Sequence, residues 1–426
     1  MTRLAPPPRP RLYRPAMGAM ETLWKRQILP YPDLDFARIV ADAERQTGLS
    51  DHGDRAFFDR QLSVLLPALR EEARLNTLGD LFAHGNLLKL VMERLRAVDL
   101  MKRHPEIRRI ALAPPVIVVG PMRSGTTRLQ RLLASVPGFT ALRLYEVVFP
   151  VPGRREFAAR AAGRPDPRIA ATDRMYRFLW WLNPANRWIH PTGPMEVDEE
   201  LAMLEQSCAG SQVEAQRRVP SFARHCEATD QSESWRYLRD LLKLRTWFTG
   251  TDPSLPFVLK TPQSMQDLDA IHATFPDAHY VFIHRDPVSV VASAASLAWN
   301  QMVIQSDDVD ARWVGQEWLW KTEHRIGVTA RARERIAPDR QMDVTFEEMN
   351  ADWRGVMRRV LGVLGREVTP NAEAGMAAYM ARAAREHGHA NHRYAPRDFG
   401  LEAGAIRERF RDYACTYGLG ERRRAA

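Results

Sequence analysis

This chain predicts an α/β fold with a central parallel sheet, entered through a helical N-terminal extension, and three stretches carry the prediction. Residues 115–137 (PVIVVGPMRSGTTRLQRLLASVP) and residues 278–295 (AHYVFIHRDPVSVVASAA) each read as strand, turn and helix in one run. Residues 33–108 instead repeat leucines at helical spacing. Strands of a parallel sheet are covered on both faces and read as short β-branched runs, whereas each covering helix carries an apolar stripe. Successive units of this kind stack into a three-layer sandwich, helices on either side of the sheet.

From the N-terminus, MTRLAPPPRPRLYRP is basic and proline-rich and lacks the apolar core of a signal peptide, so residues 1–20 are expected to form a disordered tail. Residues 21–110 make the helical extension, with Leu62, Leu65, Leu66 and Leu69 on one helical face and Leu87, Val91, Leu95 and Val98 on another. Thr47 to Gly53 is a turn between them. The α/β domain is expected over 111–426. Its first strand, Val116–Val119, is bounded by Pro115 and Gly120, and Leu129, Leu132, Leu133 and Val136 stripe the helix that follows. Phe257 to Lys260 is a short apolar strand ending in lysine. Tyr280–Ile283 is the next strand. Asp286 then serves as N-cap with Pro287 at the first helical position, and Val288, Val291, Ala292 and Ala295 form the stripe. Val344–Met349 reads as the last core strand and turn, a structural element only, and residues 366–426 as polar helices around a loop near 388–400.

The two turns carry the chemistry. Arg123, Ser124, Gly125, Thr126 and Thr127 set hydroxyls, a guanidinium and unpaired backbone N–H groups at a helix N-terminus, a site for phosphate or sulfate oxygens. Gly120 and Gly125 keep the GxxxxG spacing of a Walker A loop, so the turn is P-loop-like, but Thr126 stands where that loop requires lysine. Arg123 supplies a planar cation instead. In the second unit Arg285 leaves the strand end and Ser293 follows eight residues on, so both can converge on one anion.

In these residues the chain resembles the sulfotransferases that use 3′-phosphoadenosine 5′-phosphosulfate (PAPS), over roughly residues 110–415. The arginine-bearing loop is similar to the branch that includes tyrosylprotein sulfotransferases and many bacterial enzymes. The resemblance implies that residues 123–127 hold the 5′-phosphosulfate, and that Arg285 and Ser293 hold the 3′-phosphate. It gives Lys260 the role of catalytic lysine beside Arg123, and Glu146, in LRLYEVVFP, that of catalytic base. Glu196, Asp198, Glu199 and His190 are other possible bases. His392-Arg393-Tyr394 followed by Asp398-Phe399-Gly400-Leu401 resembles the late family segment that closes over the nucleotide, which makes Arg393 and Tyr394 donor contacts; Ala395 stands where a hydroxyl is common. The implied reaction is in-line sulfuryl transfer without a metal. A P-loop kinase or NTPase, or a non-catalytic nucleotide-binding protein of the same fold, stays open beside it.

Composition narrows the partners. The net charge of +9 is spread along the chain and is almost all arginine, with lysine only at 25, 89, 102, 243, 260 and 321. No nucleic-acid-binding motif accompanies it, and a positive field suits a polyanionic donor. Cys208, Cys226 and Cys415 lack metal or disulfide-framework spacing, which fits a reducing, cytoplasmic setting. No run reads as a membrane span. The aromatic residues Tyr176, Phe178, Trp180, Trp181 and Trp188 are either core or the lining of an apolar acceptor pocket. The acceptor is a small molecule or a peptide, and neither its identity nor the oligomeric state can be read from the sequence.

Overall fold

The computed structural model describes residues 4–385 and 394–420. Its four strands, β1 (Val116–Val119), β2 (Val258–Lys260), β3 (His279–His284) and β4 (Gln341–Thr345), form one parallel sheet in the order β2-β1-β3-β4. Val116 lies opposite both Val258 and His279, and Tyr280 opposite Gln341.

Side chains alternate across the sheet, as a period of two demands. Ile117, Val119, Leu259, Tyr280 and Phe282 enter one apolar cluster, packed by Trp235, Leu238 and Leu241 of the helix Ser232–Thr249 and by Ile271 of Leu268–Thr274. Val116, Val118, Val258, Val281 and Ile283 enter another, with Leu129, Leu132 and Leu133 of Thr126–Ala134 and Met357, Val360 and Leu361 of Trp353–Val363. This is the expected three-layer sandwich.

The helix Pro287–Gln305 departs from the single-stripe expectation, being buried all round from Val290 onward. Ala294, Ala295 and Ala298 let the helix Ala311–Ala332 and Phe399 pack closely against it. Among the described residues it is the one helix long and apolar enough to cross a membrane, but 83% of its apolar window is buried inside the fold. An all-round apolar helix of this kind is a core helix.

The extension forms helices where expected, including Ala56–Glu71 and Thr77–Arg103. Its leucines share a cluster with Cys208, Val213, Phe222 and Cys226, so packing runs across the expected boundary at residue 110. The expected disordered tail is corrected by a helix, Tyr13–Lys25. Tyr13 is buried beside Leu78, Leu182 and Ile304. Arg9 donates to the carbonyls of Val303 and Ile304 near the end of the core helix, and to Asp307 at 3.2 Å. These tertiary contacts order a segment whose proline content alone argues for a solvated chain.

Candidate active site

The strand order sets β1 between β2 and β3, so the residues that follow all three strands face one crevice at the carboxyl edge of the sheet. After β1 the chain turns with no room for side chains at its glycines. A Cβ on Gly120 would lie 2.6 Å from the carbonyl oxygen of Ile283, and one on Gly125, at φ +97°, would lie 2.7 Å from the Phe346 ring. Arg123 sits between them at φ +75°, a left-handed conformation that costs a non-glycine residue on the order of 1 kcal/mol. Arg285 holds it there, donating from Nη1 to the Arg123 carbonyl at 2.7 Å. Arg123 Nε donates in turn to Ser293 Oγ at 3.1 Å. The two turns are therefore stitched together through Arg123.

Neither arginine pairs with a carboxylate among the described residues, and burial pushes both guanidinium pKa values down. Ser124 Oγ is buried without a hydrogen-bond partner in the same loop. Thr126 and Thr127 open the helix, where first-turn N–H groups lack intrahelical acceptors. Two half-buried cations, an orphan hydroxyl and a helix N-terminus make a cradle for an anion of several charges.

Lys260 closes the crevice from β2. It is 1% exposed; its Nζ donates to Thr127 Oγ1 at 3.1 Å and pairs with Glu199, while its backbone N–H donates to Glu200 Oε2 at 2.9 Å. The acidic segment is held against the first helix: Gln130 donates to the Asp198 carbonyl at 3.2 Å and Arg131 to that of Val197 at 3.0 Å. Asp198 accepts from Thr192 Oγ1 at 2.6 Å and lies 3.6 Å from His190 Nε2. Burial works to raise its pKa, yet these neighbours and Arg131 outweigh burial and hold the carboxyl well below the usual range.

A family model described as the sulfotransferase family matches residues 114–370, more than half of the chain. The chain belongs to the sulfotransferase family. The crystal structure of sulfotransferase STF1 from Mycobacterium tuberculosis H37Rv is similar at 26% identity and a TM-score of 0.75, covering 88% of this chain and 97% of that one. The fold of sulfotransferase STF9 from Mycobacterium avium is similar at 24% identity and a TM-score of 0.76, covering 90% and 96%. No curated protein sequence matches the chain.

Within this sulfotransferase, Arg123, Ser124, Gly125, Thr126, Thr127, Lys260, Arg285 and Ser293 come together, and Tyr394 joins them through the fields of Arg123 and Arg285. Arg393, with His392, lies outside the described residues. Glu146 is held by partners of its own. Its carboxylate is 2% exposed, accepts from Arg245 Nε at 2.9 Å and caps its own helix through the Arg143 N–H at 2.8 Å. The carboxylate at the lysine is Glu199. Glu196 turns to Arg382 at 3.1 Å. Two residues escaped the sequence reading. Phe346, just past β4, stacks under the Arg285 guanidinium at 3.9 Å and has Arg128 on it at 5.2 Å. Glu200 anchors the backbone of Lys260. Nothing in VTFEEM or MEVDEEL marks either one.

Glu200 also gives a pH prediction. Burial raises its pKa to about 7, against the opposing N–H of Lys260. Burial likewise raises Glu205 to about 7 and Asp267 to about 6. Each such acid binds its proton more tightly when folded, so its stabilisation is complete below the unfolded carboxyl pKa and is lost as pH rises through the folded one. Relative to the wild type, Glu200→Gln is expected to gain about 2–5 °C in melting temperature between about pH 4.5 and pH 7 in a calorimetric scan, because it removes this acid's share of the loss.

Proposed function

We propose that this sulfotransferase moves a sulfuryl group from PAPS to a hydroxyl, or an amine, of its acceptor by in-line displacement. The observation that carries the reading is the stitch of Arg285, Arg123 and Ser293 beside Lys260 and Thr127, which gathers two half-buried guanidiniums without carboxylate partners around a helix N-terminus. Residues 123–127 would hold the phosphosulfate. Arg285, Ser293 and Tyr394, with Arg393, would hold the 3′-phosphate. As the acceptor oxygen bonds to sulfur, the bond from sulfur to the phosphate oxygen breaks and that oxygen gains negative charge. Lys260, Arg123 and the loop N–H groups stabilise it as preorganised donors. Glu199, at the lysine, takes the hydroxyl proton in place of Glu146, and 3′-phosphoadenosine 5′-phosphate leaves.

The acceptor is a small molecule or a peptide. Cys208, Cys226 and Cys415 are free, which suits a cytoplasmic enzyme. A γ-phosphate-transferring P-loop enzyme is disfavoured, because Thr126 replaces its lysine and the site cation comes from β2 instead. Titration calorimetry with 3′-phosphoadenosine 5′-phosphate and with ATP tests the reading. The bisphosphate should bind at least about tenfold more tightly; preference for ATP would return the site to nucleoside triphosphates.

A further inference from the structure

Large apolar side chains open to solvent are concentrated on two segments. Leu12 (71% exposed), Ile28 (61%), Leu29 and Tyr31 lie beside the helix Tyr13–Lys25, and Phe178 (42%), Trp181 (43%) and Trp188 (38%) lie on or just past Pro167–Leu182. The segments are neighbours. Tyr13 and Met17 of the first share an apolar cluster with Leu179 and Leu182 of the second, and Leu78 and Phe82 of Thr77–Arg103 join it. The open rings follow the same path. Tyr31 donates its hydroxyl to Asp80 at 2.8 Å, Phe82 meets Phe178 edge-on at 6.4 Å, and Phe178 stacks on Trp181 at 5.8 Å. Isolated exposed hydrophobes need no explanation, but open rings grouped on two neighbouring segments mark an interaction surface.

Charge identifies the partner. Across residues 4–35 and 167–188 the acids are Glu21, Asp33, Asp35 and Asp173, with Asp80 bonded to Tyr31, against a larger number of arginines and lysines. Thr77 donates to Glu21 at 2.6 Å, and Asp173 pairs with Arg177 at 2.8 Å. Arg11, Arg14, Lys25, Arg26, Arg174 and Arg187, on the same two segments as the rings, are exposed. Arg187 lies over both Trp180, at 5.7 Å, and Trp188, at 5.4 Å. Tryptophan and tyrosine rings suit the headgroup depth of a bilayer, and arginines around them suit anionic lipid phosphates. A second copy of the chain would bring the same basic face against itself, with like charges opposed.

We infer that this face docks the enzyme on the surface of an anionic lipid bilayer, peripherally and without a spanning segment. The inference does not depend on the donor reading.

Flotation of the full chain with vesicles of phosphatidylcholine, alone or with about 30 mol % phosphatidylglycerol, tests this. Binding is expected to the anionic vesicles, weakening with salt. The triple variant Phe178→Ser, Trp181→Ser, Trp188→Ser should lose at least about tenfold in binding. The pair Arg174→Glu, Arg187→Glu should lose it on anionic vesicles too, both variants folded and with bisphosphate binding unchanged. No flotation with anionic vesicles, or equal flotation of the variants, overturns the inference. A dimer in sedimentation velocity that the triple variant dissolves would also overturn it, by assigning the face to a second copy. Docking failure with intact bisphosphate binding leaves the donor reading standing.

Discussion

Lys260→Ala is expected to lower kcat by about 10²–10³, the usual cost of removing a preorganised donor from a developing negative charge. The argument rests on the lysine's setting. Its ammonium spans Thr127 of the anion loop and Glu199, so one group links the proposed leaving oxygen to the proposed base. Its backbone is fixed independently, by the bond to Glu200 and by parallel pairing of Val118 with Lys260. Truncating the side chain therefore leaves the strand in place, and bisphosphate affinity should change only a few-fold. Glu199→Gln separates the roles. It keeps a partner for the ammonium but removes the proton acceptor, so kcat should fall with little change in KM for the donor. Equal activity of Lys260→Ala and the wild type would remove the lysine from the chemistry. Full activity of Glu199→Gln with loss in Glu146→Gln would restore the base to the position the family resemblance implies.

The fate of Glu146 and Glu199 shows where sequence legibility stops. The strand–turn–helix units were legible because their signals are local: a β-branched run, a glycine turn, a stripe at helical spacing, Asp286 donated to by the Ser289 N–H at 3.0 Å. Lys260 was legible because it ends a short apolar strand in a chain with few lysines. The carboxylate that meets the lysine was not, because that pairing, Lys260 with Glu199, spans 61 residues of sequence. Glu146 is claimed by Arg245, 99 residues away, a pairing no local pattern announces. Phe346 was read as structure alone for the same reason: its ring reaches Arg285 only once β4 is laid beside β3. The ordered N-terminus fails in the opposite direction. Composition argues for a free chain, and Arg9 and Tyr13 override it through contacts with the far end of the core helix. Elements written in neighbouring residues can be read from the chain, whereas pairings decided by topology appear only with the fold.

Arg285→Ala is the second large effect, expected to weaken bisphosphate binding by about 100-fold, since a hydrogen bond to a charged group contributes about 1.5–3 kcal/mol and this arginine does two things. It faces the proposed 3′-phosphate, and it holds the left-handed Arg123 through the carbonyl bond of 2.7 Å. The two contributions can be separated with adenosine 5′-phosphosulfate, which lacks the 3′-phosphate. A direct contact alone predicts that the variant binds this ligand as the wild type does. Support of Arg123 predicts that it too binds more weakly, because the loop relaxes away from the strained conformation. Arg285→Lys should not rescue binding, as an ammonium cannot stack flat on Phe346 while also reaching the carbonyl. Phe346→Ala should fall between the wild type and Arg285→Ala, since it frees the guanidinium without removing it. Wild-type affinity in Arg285→Ala would detach the second turn from the donor site and leave the first turn to bind its anion alone.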